Sequence, residues 1–178
     1  MATQSKAAKV PATKTPNFSN PDVFQLATNF KPAVSKVDGS SQLTFLGYEH
    51  SMSKDGDSGF IKLVFSVMDT TRNNPENIPI LVSYRVSEDN KFGRVLNSMG
   101  CQMKAPEYDT EAVEDEYGLP ELATDYSYVY DYLDTHGGYV YRAILTTVDD
   151  KPGLYRIDIN SLKPQMKDDE QVKVSVSG

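Results

Sequence analysis

The sequence predicts a mainly β fold, an OB-like five-stranded barrel with a short helix after strand 3 and an acidic insertion before strand 4. Three observations predict it. Residues 59–68 alternate in apolar character, residues 90–99 have the period of an amphipathic helix, and a strong turn signal at 149–153 separates two further strand-like segments. The same order of elements also fits a small α+β sandwich.

The segment 59–68 is rich in β-branched and aromatic residues and has no internal Gly or Pro. One of its faces is wholly apolar, formed by Ile61, Leu63, Phe65 and Val67. The other face is mixed and contains Phe60 and Lys62. Because side chains alternate along a strand, we expect the apolar face to close a core and the mixed face to offer a contact surface.

The flanking segments predict the first and third strands. Residues 41–50 form the first, and Gly47 inside it indicates a bulge or sharp bend. Residues 78–86 form the third, preceded by a polar loop at 69–77. Three successive strands joined by polar loops predict a meander.

A helix is predicted after the third strand. Four apolar residues follow the i, i+3, i+4, i+7 spacing of one helix face: Phe92, Val95, Leu96 and Met99. Asp89 or Asn90 can cap the start, and Gly100 stands where a left-handed residue ends a helix.

The insertion 105–136 contains ten Asp or Glu residues and no Lys or Arg. We expect residues 102–123 to form a loop or mobile excursion. Residues 125–135 fit either a strand or a helix, and the helix is favoured because Thr124 can cap it and Gly137 can end it.

The last part of the domain predicts a hairpin, with strands at 138–148 and 154–160. The domain would therefore span residues 38–164. A polar tail, residues 165–178, is expected to fray. A basic, Pro-rich arm, residues 1–37, is expected to be flexible, with a short docked helix near 20–29 as the alternative.

Bulk properties exclude several classes of function. The chain has 178 residues, a net charge of −7 and one cysteine, Cys101, so we expect a single domain in a reducing compartment. No apolar run is long enough to span a membrane, and no secretory signal is present, so we expect a cytoplasmic protein. His50 and His136 stand outside any catalytic or metal motif, so no enzyme activity, metal or other cofactor is predicted.

The helix with the residues Lys91-Phe92-Gly93-Arg94-Val95-Leu96, together with the segment 60–68 and the closing hairpin around Arg142 and Arg156, resembles small phage-type single-stranded-DNA-binding proteins of the OB-fold class. The resemblance covers residues 43–162. It implies sequence-independent binding of single-stranded DNA in DNA replication or recombination, in the host cytoplasm if the protein is phage-encoded.

Such binding needs cations for the phosphates and aromatic faces for the bases. The strand pattern predicts that Phe60, Lys62 and Arg85 share the outer surface of the second and third strands. The full set of predicted DNA-binding residues is Tyr48, Lys54, Phe60, Lys62, Arg72, Arg85, Arg142, Lys151 and Arg156.

Two partner surfaces are also predicted. The acidic, Tyr-rich segment 105–136 has three interpretations: a solvated loop, a surface that binds replication or recombination proteins, because Tyr is favoured at interfaces, or a mimic of DNA that competes for the basic face. The arm also has three interpretations: a disordered tail, an extra contact to phosphates, or a segment that reaches a neighbouring copy in a homo-oligomer. The alternative function is a structural or interaction protein of a virion or replisome, which would use the same barrel and arm to hold proteins.

Overall fold

The computed structural model describes residues 30–53, 56, 58–113, 120–122 and 124–175. Within these ranges it has eleven short or long strands, two α-helices and one 3-10 turn. The elements are β1 (Ser41–Met52), β2 (Gly59–Asp69), β3 (Asn74–Ser83), α1 (Lys91–Met99), β4 (Tyr108–Val113), β5 (Pro120–Leu122), α2 (Ser127–Thr135), β6 (Val140–Ala143), β7 (Leu145–Val148), β8 (Lys151–Ile157), the 3-10 turn (Ile159–Ser161), β9 (Lys163–Pro164), β10 (Met166–Lys167) and β11 (Glu170–Gln171).

A five-stranded antiparallel sheet in the order β3-β2-β1-β6-β9 is the centre of the fold. The predicted bulge is present: the β1–β2 register shifts between Phe45 and Gly47, and Gly47 has a φ of 137°. The predicted loop at 69–77 is too long, because β3 already begins at Asn74. Pro75 and Pro79 are tolerated there because β3 is an edge strand of this sheet.

The apolar face of β2 lies in the core as predicted. Ile61, Leu63 and Phe65 are fully buried, and Val67 is 1% exposed. The Phe65 ring contacts Phe45 at 5.2 Å and Tyr141 at 5.9 Å between centroids.

Both helices cover this core. The Asn90 side chain caps α1 by accepting a hydrogen bond from the Gly93 amide, and Gly100 ends it with a φ of 98°, as predicted. The helix α2 confirms the helical interpretation of 125–135, but the predicted Thr124 cap is wrong. Its N-terminal boundary residue is Tyr126, while the Thr124 hydroxyl accepts a hydrogen bond from the Glu107 amide.

The predicted loop at 102–123 contains a hairpin, formed by β4 and β5. This finding corrects the expectation of irregular structure for the described part of that stretch. The predicted strand 138–148 is divided at Ile144 into β6 and β7. β6 stays in the five-stranded sheet, whereas β7 pairs with β8.

The frayed tail is also a wrong prediction for residues 165–175. Backbone hydrogen bonds join the Val140 amide to Val172, the Gln165 amide to Val140, and the Val174 amide to Gly138. These hydrogen bonds place residues 165–174 along the edge of β6, and Val140 is buried.

Part of the predicted arm belongs to the body. The amides of Ala33 and Thr70 donate to the carbonyl oxygens of Met68 and Lys31, respectively, so the segment 31–33 lies along the end of β2. Residues 1–29 of the arm, including the alternative helix at 20–29, lie outside the described residues. Across the described ranges, no helix is long and apolar enough to cross a membrane.

Candidate nucleic-acid interface

The outer face of β2 carries Phe60 and Lys62, as the strand pattern predicts. Lys62 lies between Glu49 of β1 and Leu81 of β3 in the sheet register. Its Nζ atom is 3.7 Å from a carboxylate oxygen of Glu49. The one cation on this stretch of β2 is therefore already paired with a neighbouring carboxylate.

Arg72 lies at the opposite end of β2 from Phe60. Its guanidinium is 3.5 Å from Asp69 and 3.0 Å from Glu76. Burial of Asp69 raises the pKa of its carboxyl, but hydrogen bonds from Thr71 and the Lys31 amide, with the Arg72 charge, outweigh burial and lower the pKa. This cluster fixes the β2–β3 turn, so Arg72 is engaged in holding structure.

Tyr48 was predicted on the DNA-binding surface, but the structure places it on the other face of the sheet. The bulge at Gly47 shifts the alternation, so Tyr48 pairs with the inward-facing Leu63. Its ring packs against Tyr130 at 5.9 Å. Partial burial and the nearby Asp134 carboxylate raise the pKa of the Tyr48 hydroxyl.

The other predicted cations are dispersed. Arg142 pairs with Gln42 in the register and lies 4.0 Å from Asp38. Arg85 was predicted on the third strand, but β3 ends at Ser83 and Arg85 lies in the loop that follows. Lys54 falls outside the described residues. The structure thus places Phe60 and Lys62 on the outer face of β2 and Arg85 in the loop that follows β3.

Cations converge instead in a groove between β3 and β8. Its volume is about 440 Å³. Three of its lining residues are cations, Lys91, Lys151 and Arg156, and none of the described lining residues is a carboxylate. Its apolar and aromatic wall includes Leu81, Leu154 and Tyr155. We call this cavity the basic groove. It contains two of the nine predicted residues, Lys151 and Arg156.

Strand topology produces this groove. β8 pairs with β7 alone, and β3 is the edge of the five-stranded sheet, so within the described residues no ladder joins β3 to β8. Lys91 reaches the groove from the first turn of α1, and Lys151 begins β8 just after the turn residues Asp149 and Asp150.

Like charges lie close together in the basic groove. Partial burial lowers the pKa of the Lys91 ammonium, and the positive charges of Arg156 and Arg94 lower it further. An anion placed among these groups would relieve their mutual repulsion. The depressed pKa of Lys91 therefore has the sign expected of a site that is suited to anions.

Two residues of this site were missed by the sequence reasoning. Neither is among the nine predicted DNA-binding residues: Lys91 lies in the first turn of α1, and Tyr155 packs partly against the core. Tyr155 also lines the groove, and its ring and that of Phe30 are arranged edge to face with centroids 5.1 Å apart. The sequence places Lys91 in the first turn of α1, directly after the cap Asn90, but nothing in the spacing of residues predicts that this turn lies beside β8.

No family model, curated protein or solved structure matches the chain. The resemblance to single-stranded-DNA-binding proteins therefore stays a prediction. In the described part of the chain, no group of three or more His, Cys, Asp or Glu side chains could hold a metal ion.

Proposed function

We propose that this protein binds single-stranded DNA, with the phosphates held in the basic groove between β3 and β8. The observation that carries the proposal is the convergence of Lys91, Lys151 and Arg156 in one groove whose described lining residues include no carboxylate. Cations that follow a nucleic-acid backbone supply most of the affinity in sequence-independent binding.

The wall of the groove supports a single strand as the ligand. Leu81 and Leu154 are 47% and 42% exposed, so both present apolar surface to solvent. Together with the Tyr155 ring they offer contact to base faces, which a single strand exposes and a duplex hides in its stack. Phosphate contacts alone would not distinguish the two forms.

The fold is compatible with the proposal. An OB-like barrel needs a meander, a helix after the third strand and a final hairpin, and all three are present. Such a barrel would close where β8 faces β3, which is the position of the basic groove. We propose that oligonucleotides enter at this seam.

The test is fluorescence anisotropy with labelled oligo-dT at about 50 mM and about 200 mM salt, comparing wild type with the double variant Lys151→Glu/Arg156→Glu. Binding should be lost or weakened by at least tenfold in the variant. Each phosphate contact removed should reduce the slope of log affinity against log salt by about 0.7.

The control is Lys62→Glu, a single cation-to-carboxylate substitution on the outer face of β2. It should leave binding nearly unchanged because Lys62 is paired with Glu49. Equal losses in the control and the groove variant would contradict the location of the site. Absence of oligo-dT binding by wild type at low salt would contradict the function and favour a protein-binding role.

A further inference from the structure

A second cavity lies beside the start of α1, next to the basic groove. Its volume is about 710 Å³, and it is lined by three tyrosines, Tyr84, Tyr126 and Tyr130, and by Arg85 and Asn90. We call it the tyrosine cavity. Asn90 lines this cavity and Lys91 lines the basic groove, so consecutive residues of the chain connect the two.

The loop that forms one wall of the tyrosine cavity is tightly held. The Asn90 side chain donates to the Arg85 carbonyl oxygen at 2.7 Å and accepts from the Gly93 amide at 3.0 Å. A Cβ atom at Gly93 would stand 2.0 Å from the Ser87 carbonyl oxygen, so only glycine permits this approach of the loop to α1. The wall is therefore set before any ligand arrives.

Tyr84 is also held in a defined place. A Cβ atom at Gly59 would stand 1.6 Å from the Tyr84 ring, so that ring lies directly over the backbone of Gly59. His50 stacks on Tyr84 at 5.4 Å and faces Tyr130 at 6.4 Å between ring centroids. Tyr84 as a whole residue nevertheless keeps 37% of its surface exposed and lines the cavity.

The chemistry of the cavity suits a flat, uncharged ring with hydrogen-bond acceptors. Tyrosine rings offer stacking faces, and the exposed Arg85 guanidinium offers a fork of donors. None of the salt bridges among the described residues engages Arg85. The exposed carboxylates Glu88 and Asp89, between lining residues of the loop, disfavour a phosphate at the same place.

We propose that the tyrosine cavity takes an unstacked nucleobase of a strand whose phosphates lie in the basic groove. The inference rests on the proposed function and assigns separate roles to the two cavities, phosphate binding to the groove and base stacking to the cavity. The base would lie against Tyr84 and Tyr126, with Arg85 donating to its exocyclic oxygen.

The test combines a protein change with a matching change in the DNA. Anisotropy is measured for oligo-dT and for an abasic strand of the same length, with wild type, Tyr84→Leu and Tyr126→Leu. Each leucine variant should bind oligo-dT about tenfold more weakly, the size expected for the loss of one stacked base. Neither variant should lose affinity for the abasic strand, because that strand has no base to stack.

Two controls make the outcome decisive. Tyr84→Phe keeps the ring and should retain oligo-dT binding, and Phe60→Leu removes an aromatic ring from the outer face and should have no effect. A 2-aminopurine base in the oligonucleotide should be quenched by wild type and not by Tyr84→Leu.

Equal losses on both strands, or no loss on either, would overturn the inference while leaving groove binding intact. The same holds if Tyr84→Leu changes self-association and leaves oligo-dT affinity alone. Failure of wild type to bind either strand would instead overturn the proposed function.

Discussion

The outer face of the meander and the basic groove both contain cations, but they differ in what surrounds those cations. On the outer face, Lys62 is paired with Glu49 at 3.7 Å. In the groove, Lys91 has Arg94 and Arg156 as its charged neighbours, and its pKa is lowered. A paired cation has less to gain from a phosphate than one held among like charges, so the groove is the better anion site.

This difference shows that the alternation within one strand predicts on which face of the sheet a side chain lies. It does not predict which charged side chains of other elements lie beside it. Glu49 and Lys62 are neighbours only because of the β1–β2 register after the bulge. Lys91 and Arg156 come from a helix start and a late strand that meet through the topology. The proximity of two such residues depends on contacts between elements that are distant in the sequence, and the spacing of residues within each element does not predict it.

The first prediction tests the two faces of β2 and has the largest expected effect. Phe65→Ala should reduce the free energy of unfolding by about 3–5 kcal/mol, because it opens a cavity beside Phe45 and Tyr141. Val64→Ala, on the half-buried outer face, should cost about 1 kcal/mol or less. Urea unfolding followed by circular dichroism measures both, and similar losses would contradict the assignment of the faces.

Much of the local structure could be predicted because its signals are local. The period of β2, the cap Asn90, the end residue Gly100 and the bulge at Gly47 each depend on a few adjacent residues. These features placed the meander and α1 within a few residues of their observed bounds.

The candidate site was predicted less well, for three physical reasons. The sequence predicts the bulge at Gly47, but the bulge also reverses the direction of the side chains that follow it. It therefore places Tyr48 on the inner face of the sheet, opposite to the predicted one. Arg85 was given a strand position beyond Ser83, where the pairing with β2 stops. The groove itself arises between β3 and β8, which are nearly seventy residues apart in the chain, so no sequence window contains it.

The second prediction uses Lys91 to separate stability from binding. Lys91→Glu places a carboxylate in the first turn of α1, where the helix dipole favours negative charge, and removes a cation from beside Arg94 and Arg156. The variant should be more stable by about 0.5 kcal/mol. It should also bind oligo-dT roughly tenfold more weakly at low salt.

Urea unfolding and anisotropy on the same preparation measure these two opposite effects. Lys62→Glu, the same substitution on the outer face, serves as the control and should leave oligo-dT affinity nearly unchanged because Lys62 is paired with Glu49. If Lys91→Glu is both more stable and fully able to bind, the groove is not the DNA site and the contrast between the two regions has no functional meaning.

The third prediction concerns pH and has the smallest expected effect. The pKa of Lys91 lies below its ordinary value of 10.5 in the free protein, and a bound phosphate should raise it. Binding therefore takes up protons once the pH approaches the free pKa, and oligo-dT affinity should fall modestly as the pH rises through the alkaline range below 10.5. Lys91→Arg should lose part of this dependence, because a guanidinium stays charged throughout that range. An identical pH profile for wild type and Lys91→Arg would mean that Lys91 contacts no phosphate, even if Lys151 and Arg156 do.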